Sequence, residues 1–182
     1  MYRNPYYQNQ WSSPIHQTNW GYNWGPQQQN YWNQQYWDHY YTNRVQDYGP
    51  NPFVINIEEA TKQNNTFRTA LWTGDHLQLT LMSINVGEDI GLENHPNLDQ
   101  FLRVEEGQGM VMMGKRKDKL NFQQRVSDDF AIIIPAGTWH NVINTGNTPL
   151  KMYSIYAPPQ HPFGTVHQTK AEAMAAEEEH HS

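Results

Sequence analysis

Three residues near the middle of the chain carry side chains that bind transition metals and lie close together in sequence: Glu93, His95 and Gln100. They occur in "IGLENHPNLDQFLRVEEGQG", residues 90–109, with glycines towards both ends. Glu93 and His95 are two positions apart, the spacing that places side chains on one face of a β-strand. The residues between His95 and Gln100 allow a short turn and the start of a returning strand. This layout predicts part of a metal site that needs a further ligand.

A histidine in a second stretch can provide that ligand. In "DFAIIIPAGTWHNVINTG", residues 129–146, an apolar strand leads into a Pro-Ala-Gly turn at 135–137. Proline fixes φ in such a turn, and glycine permits a left-handed conformation. His140 follows on the outgoing strand, where alternate residues share one face. In a barrel, His140 would then point into the same interior as Glu93 and His95.

The four candidates form a mixed nitrogen and oxygen donor set of two imidazoles, one carboxylate and one amide carbonyl. Such a set suits Fe²⁺, Mn²⁺, Zn²⁺ or Ni²⁺ better than Ca²⁺ or Cu⁺. Four protein ligands leave one or two positions open for water, substrate or O₂. We therefore predict that Glu93, His95, Gln100 and His140 bind a divalent transition metal as cofactor. The alternative is that Glu93 and Gln100 are polar residues at the surface or barrel mouth and that no metal binds.

The elements that must position these residues are mostly β-strands. Residues 53–158 contain short alternating or apolar runs separated by Gly and Pro turns, with no helical periodicity, as is typical of a sandwich or barrel. Residues 67–79 predict a hairpin with its turn near Gly74 and Asp75. Residues 169–182 predict a short exposed helix or an acidic tail, because 169–179 consist of strong helix formers without a long apolar stripe.

Residues 1–49 differ sharply from this β-rich region. They contain five of the seven tryptophans and nine of the eleven tyrosines, but only three aliphatic residues. Polar-amide tracts with many aromatics are typical of disordered, self-associating segments. We predict a disordered tail that adheres to other proteins or to itself. A flexible tail without a function is the alternative.

Composition also argues against several functions. The net charge of −6 disfavours nucleic acid as a partner, and the absence of cysteine excludes disulfides and thiolate metal sites. The N-terminus has no continuous apolar run, and no stretch approaches membrane-spanning length. We therefore expect no membrane association and a cytoplasmic protein, or alternatively one incorporated into a spore coat or another protein layer.

The two stretches resemble the two motifs of the cupin superfamily. The first resembles Gly-x5-His-x-His-x3-4-Glu-x6-Gly, with Glu93 at the first histidine position and Gln100 at the glutamate position. His95 and Gly107 match their motif positions. The second stretch resembles Gly-x5-Pro-x-Gly-x2-His-x3-Asn, and it matches at Pro135, Gly137, His140 and Asn144, with Asp129 at the leading glycine position. The resemblance covers about residues 53–168.

The resemblance implies an all-β fold, a double-stranded β-helix barrel of the jelly-roll type, over residues 50–168. It also implies a homodimer formed through edge strands. The chain is similar to small bacterial cupins described as mannose-6-phosphate isomerase-like. Cupin-type phosphomannose isomerases bind zinc through Gln, His, Glu and His, so the same ligand types occur here with Glu and Gln exchanged.

Two classes of function follow from these expectations. The first is a metal-dependent enzyme acting on a small molecule, as a dioxygenase or a sugar-phosphate isomerase. An isomerase would need several basic residues facing the pocket, and only Arg68 and Arg103 are candidates. The alternative is a non-catalytic binding or structural cupin, recruited through residues 1–49 to a protein assembly such as a spore coat.

A few further residues are candidates for lining the pocket, namely Arg68, Phe101, Tyr153 and Tyr156. His161 and His167 are spaced too loosely to predict a second metal site. We expect them to belong to a C-terminal strap across the barrel. Asp99 is predicted to serve a turn, and Trp139 is predicted to face away from the ligand side of its strand.

Overall fold

A computed structural model describes residues 46–180, which form mainly antiparallel β-strands. Most of the predicted aromatic tail, residues 1–45, lies outside the described residues, as do residues 181–182. The elements in chain order are α1 (Ile57–Gln63), β1 (Arg68–Thr73), β2 (Gln78–Ile84), β3 (Asp99–Glu106), β4 (Gln108–Gly114), β5 (Phe122–Ser127), β6 (Ala131–Ile134), β7 (Trp139–Asn144), β8 (Leu150–Ala157), β9 (Val166–His167) and α2 (Lys170–His180).

The strands form two sheets, as the alternating sequence patterns predict. The larger sheet has the strand order β6-β3-β8-β2-β1-β9, and the smaller has the order β5-β4-β7. The predicted hairpin is present, because β1 pairs antiparallel with β2 across the loop that contains Gly74 and Asp75. The main core cluster draws on both sheets, with Leu102 and Met152 from the larger and Val111 and Val142 from the smaller.

The inner face of the larger sheet changes from apolar to polar along its strands. In one row across three neighbouring strands, Met82 pairs with Met152, which pairs with Val104. Four residues further along each of the same strands, Gln78, Tyr156 and Gln100 lie side by side. All of these side chains are buried. The apolar row belongs to the core, whereas the polar row lies at the end of the interior where the candidate ligands are found.

Helix α1 was not predicted, since we expected no helix between residues 53 and 158. The Asn56 side chain caps its N-terminus by accepting a hydrogen bond from the Glu59 backbone N–H at 3.2 Å. Glu58 and Glu59 lie in its first turn and Lys62 in its last, which suits the helix dipole. The capping signal was therefore present in the sequence, but the helix is only seven residues long and shows little periodicity.

Helix α2 was predicted, but the expectation that it would be exposed is wrong for one of its faces. Ala173 is buried in the main core cluster, and Glu177 forms an ion pair with the buried Arg68. At the start of the helix, Lys170 pairs with Asp89 at 2.9 Å. The helix therefore packs against the β-sandwich. In the part of the chain that the structure describes, neither helix has the length and apolar character needed to span a bilayer.

Candidate metal centre

Glu93 and His140 are brought together by backbone pairing. The Glu93 N–H donates to the His140 carbonyl, and the His140 N–H donates to the Glu93 carbonyl, both at 3.0 Å. These bonds make an isolated antiparallel bridge beside β7. Residues that exchange both bonds in this way are directly opposite, so their side chains project from the same face. The pairing therefore fixes the carboxylate beside the imidazole.

His95 is held by the turn that precedes β7. The Gly137 N–H donates to the His95 carbonyl at 2.8 Å, and Gly137 adopts a positive φ of 75°. In the same turn, the Ala136 N–H donates to the Asp99 carboxylate at 2.8 Å, which agrees with the prediction that Asp99 serves a turn. The proline-glycine turn thus connects the two motif stretches directly, and glycine is needed there for its left-handed backbone.

The three side chains converge on one point. Glu93 Oε2 lies 3.3 Å from His95 Nε2 and 3.7 Å from His140 Nε2. One donor atom from each of the three residues lies within 4.8 Å of the other two. Donors about 2.1 Å from a shared ion are about 3.0–3.4 Å apart at octahedral or tetrahedral angles. The Glu93–His95 distance falls within this range, and the Glu93–His140 distance is slightly longer.

Hydrogen bonding orients His140 for coordination. Its Nδ1 lies 2.9 Å from the Thr138 carbonyl, which accepts from Nδ1–H and leaves Nε2 free to act as a donor to a metal. Burial lowers the pKa of His140, so its imidazole is neutral at pH 7. Among residues 46–180, neither His95 Nε2 nor His140 Nε2 has a hydrogen-bond partner. Two buried ring nitrogens beside a carboxylate are donors that fit a divalent ion.

Arg68 orients the carboxylate from its other side. Its Nη2 lies 3.1 Å from Glu93 Oε1, so one carboxylate oxygen faces the guanidinium and the other faces the histidines. Burial tends to raise the pKa of Glu93, but the contact with His95 and the charge of Arg68 outweigh it and hold that pKa below its usual value. Glu93 is therefore ionised, as a metal ligand must be.

Gln100, the fourth predicted ligand, is buried in the same interior but has a different anchor. Its Nε2 donates to Ser154 Oγ at 3.0 Å, which identifies Oε1 as the atom left for another contact. Within the described part of the chain, this Oε1 is buried and has no hydrogen-bond partner. A buried carbonyl oxygen in need of a partner is consistent with a weak metal ligand, and Gln100 stays a prediction in that role.

The residues proposed to line the pocket fall on both faces of the larger sheet. Tyr153 lies one position from the inward-facing Ser154 on β8, so it packs in the second hydrophobic cluster with Leu81, and its ring is 6.1 Å from that of Phe101. Tyr153 and Phe101, two of the candidates for lining the pocket, therefore lie outside the interior. Arg103 also lies on the outer side, where it pairs with Glu105 at 3.1 Å, so it does not face the pocket.

Arg68 and Tyr156 do lie in the interior, and His161 joins them. The Tyr156 ring is edge-on to His95 at 5.7 Å and to His161 at 5.1 Å. Burial raises the pKa of Tyr156 to about 12 against the opposing charge of Arg68. Burial, together with the nearby charge of Arg68, lowers the pKa of His161 to about 2. We expected His161 only as part of a strap, and spacing gave no sign of its place beside Tyr156.

Asn144, which matches the second motif, has a structural role. Its Nδ2 donates to the carbonyls of Ile84 and Thr148, and its Oδ1 accepts from the Gly146 N–H at 2.9 Å. All of these bonds tie the end of β7 to neighbouring loops. This motif residue therefore supports the strand that carries His140 and does not contribute to the donor set.

Two facing antiparallel sheets, with a histidine and carboxylate cluster at one end of the interior, define a cupin-type β-sandwich. The chain belongs to the cupin family. The family model described as "Cupin domain" matches residues 80–156, which include all four predicted ligands. The resemblance to the cupin superfamily and the all-β, double-stranded β-helix fold that it implied are thereby confirmed.

Three proteins are similar to this chain over much of its length. It is 75% identical over 134 residues to the uncharacterized protein YrkC of Bacillus subtilis (strain 168), covering 74% of this chain and 72% of YrkC. It is 43% identical over 115 residues to the uncharacterized protein L612 of Acanthamoeba polyphaga mimivirus, covering 63% of this chain and 70% of L612. The crystal structure of BH2720 from Bacillus halodurans matches with 76% identity and a TM-score of 0.72, covering 72% of this chain and 99% of BH2720.

Proposed function

We propose that the protein binds a divalent transition metal through Glu93, His95 and His140, with Gln100 as a fourth and weaker ligand. The observation that supports this proposal is the convergence of one carboxylate oxygen and two unpaired ring nitrogens within 4.8 Å. Two histidines and one carboxylate form the donor set of oxygen-activating non-haem iron enzymes. Fe²⁺, Mn²⁺, Zn²⁺ and Ni²⁺ all suit these donor types.

We further propose that the protein is an enzyme acting on a small molecule, with dioxygenase chemistry favoured over sugar-phosphate isomerisation. Of the two candidate arginines, Arg103 lies outside the interior, and Arg68 is already paired with Glu93 and Glu177. A phosphate dianion would therefore meet little uncompensated positive charge. When bound, iron would supply an open coordination position and one-electron chemistry towards O₂.

The chain's own residues would hold the site and exclude water from it. Arg68 fixes the Glu93 carboxylate, and the Thr138 carbonyl fixes the tautomer of His140. Tyr156, with its pKa at about 12, stays protonated and offers a hydroxyl donor inside the pocket. The apolar row beyond it, including Met152 and Met82, closes the other end of the interior.

Metal content and nitric oxide binding test this proposal on the full chain. Protein purified without added metal should contain about one transition metal ion per chain by elemental analysis, as expected of a single mixed-donor site. After loading with Fe²⁺ under nitrogen, nitric oxide should give a high-spin iron–nitrosyl EPR signal, because the ion keeps an open position. A firmly bound ion without any nitrosyl signal would contradict oxygen chemistry, and the absence of any bound ion would contradict the metal site.

Two further proposals concern the role of residues 1–49 and the oligomeric state. We propose that the aromatic and amide-rich tail recruits the protein to a protein assembly, of which a spore coat is one example, and that the barrel forms a homodimer. The truncation that tests them should remove residues 1–45 only, since the Asp47 carboxylate accepts hydrogen bonds from the N–H groups of Gly49, Thr73 and Gly164.

Light scattering on both proteins separates the two proposals. We expect residues 46–182 to remain dimeric with unchanged metal content, and the full chain to form larger, concentration-dependent species in addition. A monomer at micromolar concentration in both cases would overturn the dimer. Identical size distributions for both proteins would overturn the adhesive tail.

A further inference from the structure

A second group of buried polar side chains lies next to the metal centre. It consists of Arg68, Tyr156 and His161, and we call it the arginine subsite. The Arg68 side chain is only 1% exposed, yet one face of its guanidinium contacts Glu93 at 3.1 Å. Tyr156 is fully buried, and its ring lies between those of His95 and His161. The subsite is therefore continuous with the proposed metal ligands.

Several polar atoms of this subsite lack the contacts that buried groups normally make. In residues 46–180, Arg68 Nε, Tyr156 Oη and His161 Nε2 are buried without a hydrogen-bond partner, and Thr80 Oγ1 on the neighbouring strand is in the same condition. Buried polar atoms are nearly always paired with protein groups or with ordered water, so a cluster without protein partners marks a place that can hold water or a polar ligand. None of these atoms belongs to the metal ligands.

The position of His161 is fixed by its backbone. Gln78 Oε1 accepts from the His161 N–H at 2.9 Å, and Gln78 Nε2 donates to the His161 carbonyl, also at 2.9 Å. Gln78 is itself fully buried on β2. Because both backbone groups are clamped, the imidazole is held against Tyr156 by the fold and its unpaired nitrogen is presented to the interior.

The remaining face of Arg68 is paired with a carboxylate that can leave. Glu177 Oε1 lies 3.1 Å from Arg68 Nη1, but Glu177 belongs to helix α2 and its side chain is 36% exposed. Glu93, by contrast, is 10% exposed and is locked by the bridge to His140. Glu177 is therefore the more exposed of the two carboxylates paired with Arg68, which makes it the one that a carboxylate from solution could replace.

We propose that Arg68, Tyr156 and His161 bind the carboxylate group of a small acidic ligand, and that Glu177 occupies this position until the ligand displaces it. Arginine and tyrosine both donate to carboxylate oxygens, which satisfies the unpaired Tyr156 hydroxyl. The exchange replaces one negative charge by another, so the buried Arg68 stays neutralised. A phosphate dianion would add an uncompensated charge to a buried site, which is costly. The inference rests on the proposed function only in placing this ligand beside the metal.

Acetate and inorganic phosphate are suitable probes, titrated into the metal-free full chain and followed by NMR chemical shifts. Glu177→Gln removes the internal competitor while preserving the shape of the side chain. If the Arg68–Glu177 ion pair is formed in about nine molecules out of ten, this variant should bind acetate about tenfold more tightly than wild type. Glu172→Gln is the matched control, because Glu172 lies on the same helix but its carboxylate accepts from the Gln168 N–H. It should leave acetate affinity unchanged.

Arg68→Lys is the third variant. It keeps the positive charge but loses the planar guanidinium that can contact two carboxylates at once, so it should weaken acetate binding about tenfold. Circular dichroism checks that this variant is folded. Equal acetate affinity in wild type and Glu177→Gln would overturn the exchange, and phosphate binding more tightly than acetate would overturn the carboxylate assignment. Because the titrations contain no metal, they can fail while the metal site succeeds, and the reverse also holds.

Discussion

Replacing His140 by alanine will weaken binding of Zn²⁺ and Mn²⁺ by more than about a hundredfold, beyond the ten- to hundredfold typical of losing an outer-shell residue. The side chain is fully buried, its Nδ1 is committed to the Thr138 carbonyl, and its Nε2 faces Glu93. Its loss leaves one imidazole, one carboxylate and the weak amide of Gln100. The position of this donor is set by the backbone pairing between residues 93 and 140, so an alanine there leaves the position without a ligand atom.

Competition against a chromophoric chelator measures this loss, with His76→Ala as the matched control. His76 is an exposed loop histidine, so its replacement removes the same side chain without touching the interior. Glu93→Gln provides a second test that keeps the volume of the side chain and should also lose most of the affinity. Wild-type affinity in both His140→Ala and Glu93→Gln would show that the cluster is not the metal site.

The three residues predicted from the two stretches are found together, but strand spacing explains only part of this. His140 lies near the start of β7, where side chains alternate between faces. Glu93 forms only an isolated bridge with His140, and His95 lies outside any strand and is held by the Gly137 turn.

Contacts between the candidate site and distant segments of the chain could be predicted only in part. Arg68 lies 25 positions before Glu93, and its ion pair with that residue depends on the order in which β1 and β2 join the larger sheet. Glu177 lies on a helix whose sequence looks exposed throughout, and its contact with Arg68 spans 109 positions. Neither contact leaves a local pattern, because ion pairs between distant segments depend on topology and not on periodicity.

The outward positions of Tyr153 and Phe101 and the unpredicted helix α1 have a different cause. Tyr153 and Tyr156 look equivalent by composition, but their separation by three positions places them on opposite faces of β8. Applying the alternation strictly from Met152 would have assigned Tyr153 outwards. Helix α1 is stabilised by its Asn56 cap and by burial of Ala60 against Leu71 and Leu81, so its tertiary contacts outweigh its weak helical pattern.

Gln100 is one of the two ligand positions at which this chain departs from the family motif. Replacing it with glutamate will have effects of opposite sign on metal binding and on stability without metal. Gln100 is 2% exposed, and its Nε2 donates to Ser154 Oγ. In Gln100→Glu the Ser154 hydroxyl can rotate to donate to the new carboxylate, so the hydrogen bond is retained. The variant therefore adds a buried negative charge with little change in shape.

With metal bound, this charge is attracted to the ion. Unit charges ~4 Å apart interact by about 4 kcal/mol at an effective dielectric of about 20, and desolvation of the carboxylate offsets part of this. We expect a net gain of about 1.4–2.8 kcal/mol, which is ten- to hundredfold in affinity. Without metal, the same carboxylate is a buried charge without a counter-ion, so the melting temperature of the metal-free variant should fall below that of wild type.

Titration of metal-free protein with Zn²⁺ and Mn²⁺, together with melting curves at each metal concentration, measures both effects. Gln108→Glu is the matched control, because it adds the same charge at an exposed position and should change neither quantity appreciably. If Gln100→Glu lowers the metal-free melting temperature but leaves affinity for both ions unchanged, Gln100 is buried near the site without being a ligand. The centre would then consist of Glu93, His95 and His140 alone, with three coordination positions open, and this arrangement would favour oxygen-activating iron chemistry still more strongly.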